Sequence, residues 1–214
     1  MYFIMLNLLA QELNSTLENT AAGALLSDLG KRMFFPKGII AQSGEAKKSA
    51  NTANATIGTT VVNGMPVILP CIQNCAPKMT PQQLVSYAPT AGNPELRKSW
   101  KAKLPLKNPA LKGKSFSMPI VVPGLTAGIS YMADIFLGKN EPLLVANPSW
   151  DNYELIVETR CGGEIHQCDM FTDGAFNITG LKKAIEKEAK TGFVRLLLNF
   201  PQNPSGYSAT AEES

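Results

Sequence analysis

The sequence predicts an α/β fold: a mostly parallel sheet with helices on both faces, preceded by N-terminal helices and a small hairpin. Three observations predict it. From Met118 onward apolar runs alternate with amphipathic ones, the rhythm of βαβ units. Residues 118–122, 143–146 and 193–200 are nearly continuous apolar runs, as strands covered on both faces require. Each run ends in a turn signal, at Pro123-Gly124, at Asn147-Pro148 and at Pro201 with the Asn203-Pro204-Ser205-Gly206 that follows.

In chain order, Leu9, Leu13 and Leu17 stand at helical spacing and predict one helix over residues 6–32, closed by Gly30 and Pro36. A polar helix is expected over 45–52. Within 55–70, Ile57, Val61, Val62, Val67 and Ile68 flank Asn63-Gly64, a strong hairpin signal. Residues 71–92 are loop-rich, with a short helix after Thr80, and 94–103 form a helix carrying Leu96 and Trp100. After the first strand, Leu125, Ile129, Met132 and Phe136 line one side of a helix over 125–137. The second strand leads to a helix over 153–161 that stops at Gly162-Gly163. A short strand over 164–168 and a helix over 181–189 precede the last strand. Thr210 and Glu213 have the spacing of a capping box, in which a hydroxyl and a carboxylate satisfy each other's backbone N–H groups.

The totals exclude several functions. A hydrophobic fraction of 44% and a charged fraction of 17% describe an ordinary globular chain of 214 residues. The densest basic run, residues 98–114, alternates with Pro, Leu and Gly and reads as solvated surface, so no nucleic-acid partner is expected. Cys71, Cys75, Cys161 and Cys168 contain no CxxC pair, and the one histidine, His166, reads as a packed or surface residue. Free thiols and no metal are expected. No segment approaches the ~18 unbroken apolar residues of a membrane span, and residues 1–10 make a poor signal peptide. The expected location is cytoplasmic.

In an open α/β sheet the ligand site lies beyond the carboxyl ends of the strands. After the first strand, Gly124, Leu125, Thr126, Ala127 and Gly128 open a helix, presenting backbone N–H groups and a hydroxyl that suit a phosphate. This is neither a GxGxxG nor a Walker A sequence. After the second strand, Trp150 is either a core residue or a stacking plate for a planar ring. After the last, Asn203 either forms the turn or donates to an oxygen on such a ring. Together the three turns point to an aromatic, phosphorylated cofactor.

At these residues the chain resembles the class I/II aminotransferases, pyridoxal-phosphate (PLP) enzymes of fold type I. Asn203-Pro204-Ser205-Gly206 is similar to the family's Asn-Pro-Thr-Gly signature. Residues 54–69, the element from Tyr87 through Gly92 to Leu96-Arg97, residues 124–128 and residues 148–153 are similar to other family segments, in family order. The resemblance implies that Leu125 (through its N–H) and Thr126 hold the cofactor phosphate. It further implies that Trp150 stacks on the pyridine ring and Asn203 bonds its phenolic oxygen. Gly58 would lie by the substrate carboxylate, and Tyr87 would reach the phosphate of a neighbouring subunit in a homodimer. The substrates implied are an amino acid and a 2-oxo acid. Residues 1–70 would then belong to the small domain and arm, and 71–214 to the first part of the PLP-binding large domain.

The family's Schiff-base lysine, the aspartate facing the pyridine nitrogen and the arginine gripping the substrate α-carboxylate all follow the Asn-Pro-Thr-Gly signature by more than the residues present here. No catalytic residue is therefore expected among these 214, which read as the N-terminal portion of such an enzyme, not competent alone. A non-catalytic PLP-binding or regulatory module, or another fold type I enzyme such as a lyase, is the alternative.

Overall fold

The computed structural model describes residues 6–34, 38–56, 58–73, 80–81 and 85–213. Contacts within the chain group it into two units, residues 1–38 with 126–214, and residues 39–125.

In the first unit three short helices, α1 (Leu8–Leu17), α2 (Ala21–Leu25) and α3 (Asp28–Arg32), replace the single helix expected over 6–32. The physical reason lies in the caps. The side chains of Asn7, Thr20 and Ser27 accept from the N–H groups of Leu9, Gly23 and Gly30, so each restarts a helix where the apolar spacing alone runs on. Pro36, expected to close this region, lies outside the described residues.

The sheet of this unit is parallel with order β4-β3-β7: β3 is Pro142–Asn147, β4 is Glu164–Asp169 and β7 is Leu196–Leu197. β3 pairs with β4 from Pro142↔Glu164 to Asn147↔Asp169, and with β7 at Leu144↔Leu196 and Val145↔Leu197. Leu143, Leu144, Val145 and Ala146 are all buried, so the central strand is covered on both faces. On one face Leu143 and Val145 pack with Tyr153 and Val157, joined by Ile129, Leu137, Trp150, Ile165 and Leu197. The helix behind Tyr153 and Val157, α8, begins as one α-turn (Asn152–Glu154) and continues as a π-helix (Leu155–Cys161). It ends on Gly162, whose φ of 72° is the left-handed cap that favours glycine. On the opposite face His166, the register partner of Leu144, meets Glu188 of α9 (Ile178–Glu188) with Nδ1 at 2.8 Å from Oε1. His166 is thus half-buried between Glu188 and, at 3.5 Å, Glu164.

The strand expected over 193–200 is laddered only at Leu196–Leu197. At its start the Arg195 carbonyl accepts the Leu144 N–H of β3 at 2.9 Å, while the Arg195 side chain pairs with Glu141 at 2.8 Å and donates to the Phe136 carbonyl. Between β4 and α9 a small hairpin, β5 (Phe171–Thr172) and β6 (Ala175–Phe176), turns at Asp173-Gly174. The described cysteines Cys71, Cys161 and Cys168 are free thiols, and burial pushes the Cys161 and Cys168 thiols up.

In the second unit α4 is Ile39–Ser49, six residues earlier in its start than the polar pattern suggests. β1 (Val61–Val62) and β2 (Met65–Pro66) form the expected hairpin. Asn63 and Gly64, with φ of 50° and 76°, supply the two left-handed positions that its turn needs. Ile57, expected on this hairpin, and the core of the short helix expected after Thr80 lie outside the described residues. α5 is Pro70–Gln73 and α6 is Pro94–Lys107, capped by Asn93.

The strand expected over 118–122 is not in a ladder. Pro119 and Pro123 lack the N–H that pairing needs, and the segment is fixed by two other bonds. Val121 donates to the Ala91 carbonyl at 3.1 Å, and Arg97 Nε donates to the Pro119 carbonyl at 2.6 Å. The approach demands glycine at position 92, because a Cβ there would stand 2.3 Å from Val121 Cγ2. Helix α7 (Leu125–Phe136) follows and carries Ile129 into the core of the first unit. Among the described residues no helix is long and apolar enough to cross a membrane.

Since Leu144 is 1% exposed on the central strand, Leu144→Ala is expected to destabilise the fold by ~2–5 kcal/mol. Urea denaturation checks this; a loss under about 1 kcal/mol would mean that the sheet centre is not packed as described.

Candidate functional site

Two loops leave the carboxyl ends of neighbouring parallel strands, and they carry the side chains of interest. The first follows β3. Asn147 accepts the Met170 N–H at 2.9 Å, and the chain then turns through a cis Asn147-Pro148 bond to Trp150. The Trp150 carbonyl accepts the Tyr153 N–H at 3.0 Å, starting α8. The indole meets the Tyr153 ring edge-on at 5.6 Å. Trp150 is therefore half-buried: one side packs on the Leu143, Val145, Tyr153 and Val157 cluster, and the other borders a cleft. The core reading of Trp150 from sequence thus describes one side of its surroundings.

The second loop follows β7 and turns through cis bonds at Phe200-Pro201 and Asn203-Pro204. Asn203 is exposed. Between them Gln202 is 5% exposed. Its Nε2 donates to the Pro148 carbonyl at 2.5 Å and to the Asn203 carbonyl at 2.8 Å. Its Oε1 accepts the Ser205 N–H at 2.9 Å and the Ser205 hydroxyl at 2.6 Å. This one side chain joins the Trp150 loop to the Asn203 loop. Sequence reasoning passed it over as a turn residue; a long amide set between two prolines in Pro-Gln-Asn-Pro was the available signal.

The cleft has a volume of about 650 Å³ and is bordered by Asn147, Pro148, Trp150, Asp151, Glu154 and Pro204. Its electrostatics are acidic on the α8 side. Burial, reinforced by the charges of Glu158 and Asp151, pushes the Glu154 carboxyl above the usual range. Glu158 is partly committed, accepting the Ile165 N–H at 3.2 Å.

Thr126 lies exposed in the first turn of α7, just after Gly124, whose φ is 94°. The first four N–H groups of an α-helix lack partners within it, so this end favours an anion. One turn on, Ile129 packs on the same cluster as Trp150. Leu125 opens the helix with its side chain 72% exposed, so a role for it rests on its N–H. Gly58 and Tyr87 belong to the unit of residues 39–125, where both are exposed; no atom stands within 4 Å of a Cβ built on Gly58. Among the described residues no cluster of His, Cys, Asp or Glu is arranged to hold a metal ion.

Beyond the Asn203 turn the expected capping box is formed. Thr210 N–H donates to Glu213 Oε2 at 2.8 Å, and Glu213 N–H donates to Thr210 Oγ at 3.3 Å. The same carboxylate accepts the Tyr207 hydroxyl at 2.5 Å and the Phe176 N–H at 3.3 Å. Tyr207 in turn packs on Phe171, Phe176 and Phe200, which ties the loop to the β5–β6 hairpin.

Comparison with known proteins gives a consistent answer. The family profile "Aminotransferase class I and II" matches residues 66–214. A solved aminotransferase from Anaerococcus prevotii is 26% identical, with a TM-score of 0.72 over 88% of this chain and 48% of its own. Two further structures share the fold. An aspartate aminotransferase from Thermus thermophilus, solved with maleate, is 21% identical with a TM-score of 0.67, over 87% of this chain and 47% of its own. An aspartate aminotransferase from Saccharomyces cerevisiae cytoplasm is 19% identical with a TM-score of 0.65, over 93% and 47%. The chain spans about half the length of these structures. No curated protein sequence matches it significantly.

The bonds that the Glu213 carboxylate accepts, led by that from Thr210 N–H and followed by that from the Tyr207 hydroxyl, lower its pKa from the ordinary 4.5 to about 2. A carboxylate with a depressed folded-state pKa contributes stability that is complete above its unfolded value and is lost as pH falls through the folded value. The box and the Tyr207 tether are thus expected to hold above pH 4.5 and to open as pH falls toward about 2. Carboxyl-carbon NMR titration of Glu213 checks this, and a midpoint near 4.5 would show the box open in solution.

Proposed function

The chain belongs to the class I and II aminotransferase family, and from that premise we propose that it serves PLP-dependent transfer of an amino group between an amino acid and a 2-oxo acid. The observation that carries this reading is the joining of the Trp150 loop and the Asn203 loop, from two strand ends, through one buried amide that bonds the Pro148 and Asn203 carbonyls. An aromatic plate on one of these loops and a carboxamide on the other suit a planar ring with an oxygen at its edge.

The residues present fit PLP by the chemistry of their donors. Exposed Thr126, with its hydroxyl, and the first-turn N–H groups of α7, Leu125 among them, match a phosphate dianion. Each charge-assisted hydrogen bond there is worth roughly 1.5–3 kcal/mol. Trp150 would stack on the ring, and Asn203 would donate from its side-chain amide to the phenolic oxygen. Gly58, with open space at its Cα, would let the substrate carboxylate approach the backbone. Exposed Tyr87 would donate to a phosphate bound by the other subunit of a homodimer. When bound, PLP supplies an electron-withdrawing ring that stabilises the carbanion left when an amino acid loses its α-proton. The protein's part is to bind and orient that ring and to keep its phosphate neutralised.

We assign no proton-transferring residue within these 214. None of their lysines stands in the context that the family uses for covalent attachment, so a polypeptide of these residues is not expected to transaminate by itself. A cytoplasmic location is part of the same proposal.

Titration of this 214-residue chain with PLP is expected to shift the cofactor's absorbance, with no stoichiometric single-lysine adduct by mass after borohydride. Trp150→Ala is expected to weaken binding about tenfold, in line with the ~1–1.5 kcal/mol of an aromatic pair. Unchanged affinity in that variant would remove Trp150 from the site; a unique reduced lysine would show that an amine within these residues serves.

A further inference from the structure

We propose that Gln202 is a positioning residue whose side-chain amide clamps the two strand-end loops and so sets the spacing between Trp150 and Asn203; the proposal rests on the cofactor-site reading above.

The bonding of Gln202 is complete. Both Nε2 hydrogens are donated, to the Pro148 and Asn203 carbonyls at 2.5 and 2.8 Å. Oε1 accepts twice from Ser205, at 2.9 and 2.6 Å. Its backbone N–H donates to the Tyr207 carbonyl at 2.7 Å, and its carbonyl accepts the Gly206 N–H at 2.6 Å. A glutamine amide offers two donors and an oxygen with two lone pairs, and here all are used. The partners also fix which way the amide points. Two carbonyls can only accept, and the Ser205 N–H can only donate, so the nitrogen must face Pro148 and Asn203.

Two features separate this amide from an ordinary buried one. First, its bonds reach 54 residues back along the chain to Pro148, two residues before Trp150, as well as one residue on to Asn203. The backbone two residues before Trp150 and the backbone of Asn203 are thus tied to the same nitrogen. Second, neither loop is held by a ladder at that point, since β7 ends at Leu197 and β3 at Asn147. The clamp substitutes for pairing where the strands have already diverged. A carboxylate in place of the amide would keep an oxygen toward Ser205 but turn a second oxygen toward two carbonyls. An apolar side chain of the same length would leave all four partner groups short of a bond.

A double-mutant cycle on PLP affinity, run on the intact protein, tests this. Gln202→Met is expected to weaken PLP binding about tenfold when Trp150 and Asn203 are present. In a Trp150→Ala, Asn203→Ala background the same change is expected to cost less than about threefold, because there is nothing left to position. A residue with a structural role alone would give the same loss in both backgrounds. Gln202→Glu, which keeps a bond to Ser205 and loses the clamp, is expected to follow Gln202→Met and replaces it in the cycle should that variant not fold. Ser205→Ala, which leaves both Nε2 bonds in place, is expected to stay within about threefold of the unsubstituted protein. Equal losses in the two backgrounds, or unchanged affinity in Gln202→Glu, overturns the clamp and leaves the cofactor site standing. Failure of the unsubstituted protein to bind PLP overturns the site reading and the clamp with it.

Discussion

The unit that carries the sheet depends on the burial of β3 from both sides. Four consecutive residues, Leu143 to Ala146, are taken out of water, which only a strand paired on both edges and covered on both faces can achieve. That requirement recruits α7 and α8 to one face through Ile129, Tyr153 and Val157, and α9 to the other through the Glu188–His166 contact. It also fixes where the strand must end. At Asn147 the apolar run is exhausted, the chain turns at Pro148, and the polar groups of the loop come out beside the corresponding loop of β7.

Core and site are consequently not separable at Trp150. Its indole closes the edge of the apolar cluster and also forms a wall of the cleft. A residue in that position is held by packing rather than by a loop's own conformation, which keeps its ring plane in place without a dedicated hydrogen bond. The acidic α8 side of the cleft works in the opposite sense. Burial, with the neighbouring carboxylates of Glu158 and Asp151, raises the proton affinity of Glu154 and makes that wall unfavourable for anions.

Periodicity made much of this legible in advance. The strands over 143–146 and 164–168, the helices over 125–137 and 181–189, the Asn63-Gly64 hairpin and the Thr210–Glu213 box are all local patterns, and local patterns are written in adjacent residues. What escaped was decided by competition or distance. Side-chain caps at Thr20 and Ser27 outbid a continuous leucine spacing, so one expected helix became three. Prolines at 119 and 123 removed the donors that an apolar run seemed to promise. The π-helical turns of α8 leave no signature in apolar spacing over so short a stretch. The family resemblance is silent on Gln202, whose partner lies 54 residues away and is a backbone atom.

The N-terminal helices group with residues that follow position 125 rather than with those next to them in sequence. Arg32 makes the point with one bond: its Nε donates to the Thr159 carbonyl at 3.1 Å, across 127 residues of chain. On a ribosome adding about 5–20 residues per second, on the order of 10 s separates the emergence of those two partners. During that interval α3 lacks the α8 carbonyl that Arg32 bonds, whereas Leu8, Leu13 and Leu25 are exposed in the finished fold as well. The order of synthesis thus makes Arg32 wait for its partner, and this bond closes only after residue 159 has been made.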